Sequence, residues 1–197
     1  MYRSILLCAM LIATSALHAQ SAIPVRGTIT GLQGDVLSVT TREGRDLKVE
    51  LTKDVSVSYV KNVKLEDLKP GTPLGTTAVA GPDGKLVARE VHVSVAGPLR
   101  REGHWAMDVA PGATMTNGTV SAAAQLSGGR ELTISYKGGS NIVLIPPNTP
   151  VVAPVAADRS YLKNGEYVAL TAAMNNDGKL ATSRVQVSKD GVQPPAL

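Results

Sequence analysis

Leu68-Lys69-Pro70-Gly71, then Asp83-Gly84-Lys85-Leu86 followed by Val91, Val93 and Ser94, is the stretch that decides the fold. It returns as Leu162-Lys163-Asn164-Gly165, then Asp177-Gly178-Lys179-Leu180 followed by Val185, Val187 and Ser188. The paired residue numbers differ by 94 throughout. A constant offset over that span marks two copies of one small module. The match is not perfect: Arg89 stands opposite Ser183, and Glu90 opposite Arg184.

Strand signals dominate both copies. Val25-Arg26-Gly27-Thr28-Ile29-Thr30 alternates, turns at 31–35, and resumes as Val36-Leu37-Ser38-Val39-Thr40. Leu47-Lys48-Val49-Glu50-Leu51 alternates again, and Val55, Val57 and Tyr59 continue at spacing two after a break at Thr52-Lys53-Asp54. Leu65-Glu66-Asp67-Leu68-Lys69 is one helical turn, closed by Pro70-Gly71. Strands over 74–80 and 86–95 then flank an Asp-Gly turn, where a tight hairpin needs positive φ. The second copy repeats this order from Thr119-Val120-Ser121 onward, through Leu132-Thr133-Ile134-Ser135-Tyr136, Asn141-Ile142-Val143-Leu144-Ile145 and the proline-rich 146–150. With no phenylalanine and a single tryptophan, Trp105, the core must be Val, Leu, Ile and Ala, residues that suit strands.

Five strands with a helical turn between the third and fourth is the strand order of the OB-fold, a small partly open barrel. A flatter antiparallel sandwich is the alternative. The helical turn falls in the same place twice, which favours the barrel. The expected fold is therefore all-β: two tandem OB-like five-stranded barrels, 20–95 and 117–197, joined by a connector over 96–116.

The N-terminus reads as an export signal. Arg3 precedes an uncharged apolar run (Ile5, Leu6, Leu7, Met10, Leu11, Ile12), and small residues lead to Ala19. The run is too short to span a bilayer of roughly 30 Å. Residues 1–19 are the expected signal peptide and helix, and the expected location is periplasmic or secreted. Cys8 is the only cysteine, so the exported part carries no disulfide. Lys and Arg number 20 against 16 Asp and Glu. This mild excess contains no run of like charges, which argues against nucleic acid. No second long apolar stretch exists, so no membrane span is expected after signal removal.

Gly27-Thr28-Ile29, the 65–71 segment and Asp83-Gly84-Lys85-Leu86 resemble a family of bacterial exported domains of unknown function with an OB-like barrel. Glu102-Gly103-His104-Trp105, Met115-Thr116-Asn117 and Lys189-Asp190-Gly191 are similar to small periplasmic proteins of proteobacteria. The resemblance covers nearly all of the exported chain. It rests on turn residues and implies a fold; it brings no catalytic residues.

Chemistry is sparse. The connector is the only segment without a counterpart in the other copy, and it holds Arg101, Glu102, His104, Trp105 and Asp108. Three of these, His104, Glu102 and Asp108, are metal-capable side chains within seven positions, of a kind suited to zinc, nickel or copper(II). Against that, only one histidine is present there. Otherwise Glu102 and His104 bond locally, while Trp105 plugs the groove between modules. Trp105 with the neighbouring arginines is also an aromatic and cationic platform, but single-strand binders use several such aromatics along a positive groove. His92, out of step with Val91 and Val93, is expected to face solvent. Tyr136 and Tyr167 are expected in core or groove packing. No cysteine survives export, and no Gly-x-Ser-x-Gly occurs. Asp83 and Asp177 are explained by turn preference alone.

The reading is a non-enzymatic periplasmic binding or adaptor protein that recognises a protein or cell-envelope component and needs no cofactor. Its expected site lies around Arg101, Glu102, His104, Trp105 and Asp108. The alternative is a periplasmic protein binding a divalent metal through His104 with Glu102 or Asp108.

Overall fold

The computed structural model describes residues 22–95, 99 and 101–195; the expected signal peptide, 1–19, lies outside them. The first copy supplies β1 (Ile23–Gln33), β2 (Val36–Thr41), β3 (Asp46–Asn62), β4 (Pro73–Ala80) and β5 (Leu86–Val93). The connector supplies β6 (Gly103–Ala106). The second copy supplies β7 (Thr114–Leu126), β8 (Gly129–Tyr136), β9 (Gly139–Ile145), β10 (Val151–Ala157), β11 (Tyr167–Met174) and β12 (Leu180–Val187). Two single 3-10 turns, Leu65–Asp67 and Arg159–Tyr161, stand where the sequence places its helical turn, and no other helix occurs among the described residues. The Asp-Gly turns form as expected, with Gly84 and Gly178 at φ 77° and 73°, a conformation glycine adopts without steric cost.

The strands close into five-membered rings, but not one ring per copy. The first ring runs β1-β2-β3-β12-β11 and back to β1, all antiparallel except the β3–β12 seam. The second runs β7-β8-β9-β5-β4 and back to β7, closed by a short parallel contact between β5 and β9. Neither ring lies within 20–95 or within 117–197. Each takes the first three strands of one copy and the last two of the other. The expected barrel-by-barrel division of the chain gives way to an exchange of strand pairs.

The exchange follows from the reach of the third strand. β3 is 17 residues long, and a strand rises about 3.3 Å per residue, so it carries the chain well past the first ring. Its beginning pairs with β2, and its end, 57–62, pairs antiparallel with β10. β10 makes the reverse journey for the second copy. The break expected at Thr52-Lys53-Asp54 does not occur. β3 runs through it, and its extra residues bulge out of register between Leu51 and Ser56, where the facing β12 advances only from Thr182 to Arg184.

The cores are exchanged with the strands. One unites Val25, Ile29, Leu37, Val39 and Val49 with Leu162, Val168, Leu170, Val185 and Val187. The other unites Leu68, Leu74 and Val91 with Val120, Leu132, Ile134, Val143 and Ile145. Leu68 is fully buried and Leu162 is 4% exposed, each in the ring that the first three strands of its own copy do not build. The two copies are thus related by a pseudo-twofold. Val91 pairs with Val151 as Val185 pairs with Val57, and Leu74 pairs with Gly118 as Val168 pairs with Gly27.

Candidate ligand groove between the rings

The exchange leaves a seam where β3 and β10 cross, flanked by the outer faces of β5, β7, β11 and β12. A strand in a closed ring shows one set of alternate residues to the barrel core and the other outward. At the seam, outward means toward the other ring. Val185 and Val187 face the core, fully buried, and Gln186 between them is still only 9% exposed. His92 holds the equivalent place between Val91 and Val93. It does not face solvent as expected. The residue is half-buried and its Nδ1 is enclosed without a hydrogen-bond partner among the described residues. Burial alone pushes its pKa down to about 4, so the imidazole is neutral at pH 7.

Three residues from three strands meet here. Gln186 Oε1, Asn117 Oδ1 and His92 Nδ1 are all buried atoms without a hydrogen-bond partner among the described residues. Asn117 uses its other amide atom, Nδ2, to donate to the Arg101 carbonyl at 3.0 Å. Gly75 on β4 makes room for the cluster. A Cβ there would lie 2.0 Å from His92 Nε2 and 2.2 Å from Asn117 Oδ1. Leaving a buried amide or imidazole atom unmet costs about 1–3 kcal/mol, so stability alone would favour apolar residues at these positions.

The cluster lines a cavity of about 730 Å³ together with Arg101, Arg184, Thr171 and Ser94. His92, Asn117, Arg101 and Thr171 are shared with an adjoining space of about 460 Å³. At the rim of that space stand Trp105, Met107 and Asp108. Trp105 pairs with Met115 across β6 and β7, and the Arg101 guanidinium lies 4.1 Å from the centre of its ring. Trp105 is half-buried, not the enclosed plug expected between the modules.

The connector residues diverge. Successive residues of β6 point to opposite faces. His104 is exposed on the far side from Trp105, its Nδ1 at 2.9 Å from both Thr116 Oγ1 and Asn141 Nδ2, its ring beside Tyr136. Asp108 reaches across to Arg26 on β1 at 3.3 Å. Glu102 is exposed. Among the described residues, no group of three or more His, Cys, Asp or Glu is placed to hold a metal. Arg101, Trp105 and Asp108 thus come to the groove, while His104 and Glu102 lie apart from them.

A larger space, about 880 Å³, opens at the pseudo-equivalent position, lined by Arg26, Arg42, Thr77, Arg89, Glu90 and Tyr167. It is furnished differently. Thr77 donates to the Glu90 carboxylate at 2.8 Å, and Arg42 lies over the Tyr167 ring at 5.4 Å. The Glu90–Arg184 mismatch of the repeat separates these two spaces: one holds a carboxylate, and the other has none among its described lining residues.

Asn117, Gln186 and Gly75 were not singled out from the sequence. The signal was present in the repeat: Val91-His92-Val93 and Val185-Gln186-Val187 each set a polar residue between two core valines at the same position. The chain matches no protein-family model, no curated protein and no solved structure.

Proposed function

We propose that this is an exported, non-enzymatic binding or adaptor module that grips a protein or envelope component in the groove between its rings. Both rings follow the order first, second, third, fifth, fourth strand, with the third and fifth parallel. We read them as two OB-like barrels that have exchanged strand pairs. Such barrels present outward strand faces and loops for recognition, and function lies in the site placed on them.

The observation that carries the reading is the buried polar cluster of His92, Asn117 and Gln186, opening toward the Arg101–Trp105 platform. It is built to be met by another molecule. We read it as a recognition surface: burial holds the His92 pKa at about 4, far below the range of an effective base at pH 7, and its Nδ1 has no hydrogen-bond partner among the described residues to orient it. The export signal supports an envelope setting.

The test is co-sedimentation with isolated cell-envelope fractions. The wild-type protein is expected in the pellet. Arg101→Glu combined with Trp105→Ala should reduce retention at least tenfold, while Lys48→Glu, remote from the groove, should leave it unchanged. No retention, or equal retention of all three proteins, overturns the reading.

A further inference from the structure

We propose that the groove lined by His92, Asn117, Gln186 and Arg101 binds a small oxyanion that also carries hydroxyl or amide hydrogen-bond donors. This rests on the reading of the seam as a ligand site and adds the chemistry of what enters it.

Two independent features set that chemistry. The first is charge. The described lining of the 730 Å³ space contains Arg101 and no Asp or Glu. Guanidinium groups recognise carboxylate and phosphate oxygens through paired N–H donors. The second is the orientation of the buried amides. Gln186 and Asn117 each leave a carbonyl oxygen without a donor among the described residues. An oxyanion alone cannot satisfy them, because it only accepts. The ligand must bring its own O–H or N–H groups to those oxygens while its charge lies on the arginine side. Sugar acids and the carboxyl ends of peptides share this combination.

The pseudo-twofold shows that the feature is specific to one side. At the equivalent positions, Asn117 is replaced by Arg26, Gln186 by His92, and Arg184 by Glu90. On that side Thr77 already donates to Glu90, and Arg26 is paired with Asp108. The same backbone frame therefore carries a space whose described lining holds no acid on one face, and a space with its own carboxylate on the other.

The experiment is titration calorimetry on the protein purified after export, with four probes: glucuronate and its neutral counterpart methyl glucoside, and the dipeptide Ala-Ala as free acid and as carboxamide. At least one acid is expected to bind, tenfold or more tighter than its neutral counterpart, and to weaken as salt rises. Binding of glucuronate alone assigns a saccharide source, of Ala-Ala alone a peptide source, and of both a general oxyanion site. Gln186→Leu and Arg101→Ala should each weaken the binding acid at least tenfold. Gln186→Leu replaces a buried amide by an apolar group and should keep its melting temperature; Arg101→Ala alters an exposed side chain and provides a second variant expected to fold. The proposal is overturned if neither acid binds at millimolar concentration, if the neutral counterparts bind equally well, or if both variants bind like wild type. Failure here with envelope retention intact would reject the ligand class and leave the binding reading standing.

Discussion

The two copies cross the seam by different means. The first copy crosses on β3, an unbroken strand from Asp46 to Asn62. The second reaches the same place on β9 and β10, separated by Pro146-Pro147-Asn148-Thr149-Pro150. Proline removes a ladder donor and is confined to edges and breaks, so the second crossing cannot be continuous. Yet both deliver their last two strands to the opposite ring, in matching registers. The exchange therefore does not depend on continuity of the third strand. It depends on where that strand points when it leaves its ring, and on the short turn that follows. Leu65–Asp67 and Arg159–Tyr161 both seat their next leucine, Leu68 or Leu162, in the opposite core.

The largest expected effect comes from separating the copies. A chain of residues 20–95 holds three strands of one ring and two of the other, so it should fail to form a folded monomer. Mixed with a chain of 101–197, it should recover the native circular dichroism spectrum and elute as a one-to-one complex. A folded, monomeric 20–95 would break the exchange outright.

Next in size are the two leucines. Leu68→Ala and Leu162→Ala should each cost about 2–5 kcal/mol, as for buried leucines elsewhere. Denaturant unfolding would measure both. A Leu162→Ala cost near zero, against a full cost for Leu68→Ala, would show that the proline-broken crossing seats its turn less firmly than the continuous one.

The pH response sharpens the comparison between His92 and its equivalent Gln186. In the folded protein, burial holds the His92 pKa at about 4, below the ordinary 6.5. The unfolded chain therefore takes up a proton between pH 6.5 and 4 that the folded chain refuses. Stability is fully present above about 6.5 and falls as pH drops toward 4. The difference in melting temperature between wild type and His92→Gln should shift steadily in favour of the variant over that window. A constant difference would show that His92 is not enclosed in solution.

Smallest is the rim. Trp105→Ala removes half-buried packing and an exposed cation–π contact worth about 0.5–1 kcal/mol. The melting temperature should drop by about 2–4 °C per kcal/mol lost for a chain of this size. An unchanged value would mean that Trp105 contributes nothing to stability and is free for binding.

Much of the local structure was legible along the chain. The Asp-Gly turns, the alternating valines and the single helical turn are short-range signals, and each stands where the spacing places it. Thr52-Lys53-Asp54 misled because their polar, non-alternating pattern resembles a loop, whereas β3 passes there through a bulge in its pairing. His92 misled because a polar residue between core valines reads as solvent-facing whenever the partner face is unknown. Within the connector, Arg101 and Trp105 reach the groove. His104, the neighbour of Trp105 in the chain, is turned to the opposite face by strand alternation and bonds to Thr116 instead.

Local signals along the chain were enough for its class and punctuation: all-β, with the same order of strands and turns in each half. Periodicity and turn chemistry act over a few residues, so one chain is enough to read them. Tertiary structure decided which copy's strands complete which ring. Because the copies are alike, the last two strands of either fit either ring, and local preference cannot choose between them. The reach of β3 and β10 makes that choice. It turns the outward faces of β5, β7 and β12 toward each other, and so brings His92, Asn117 and Gln186 into one groove.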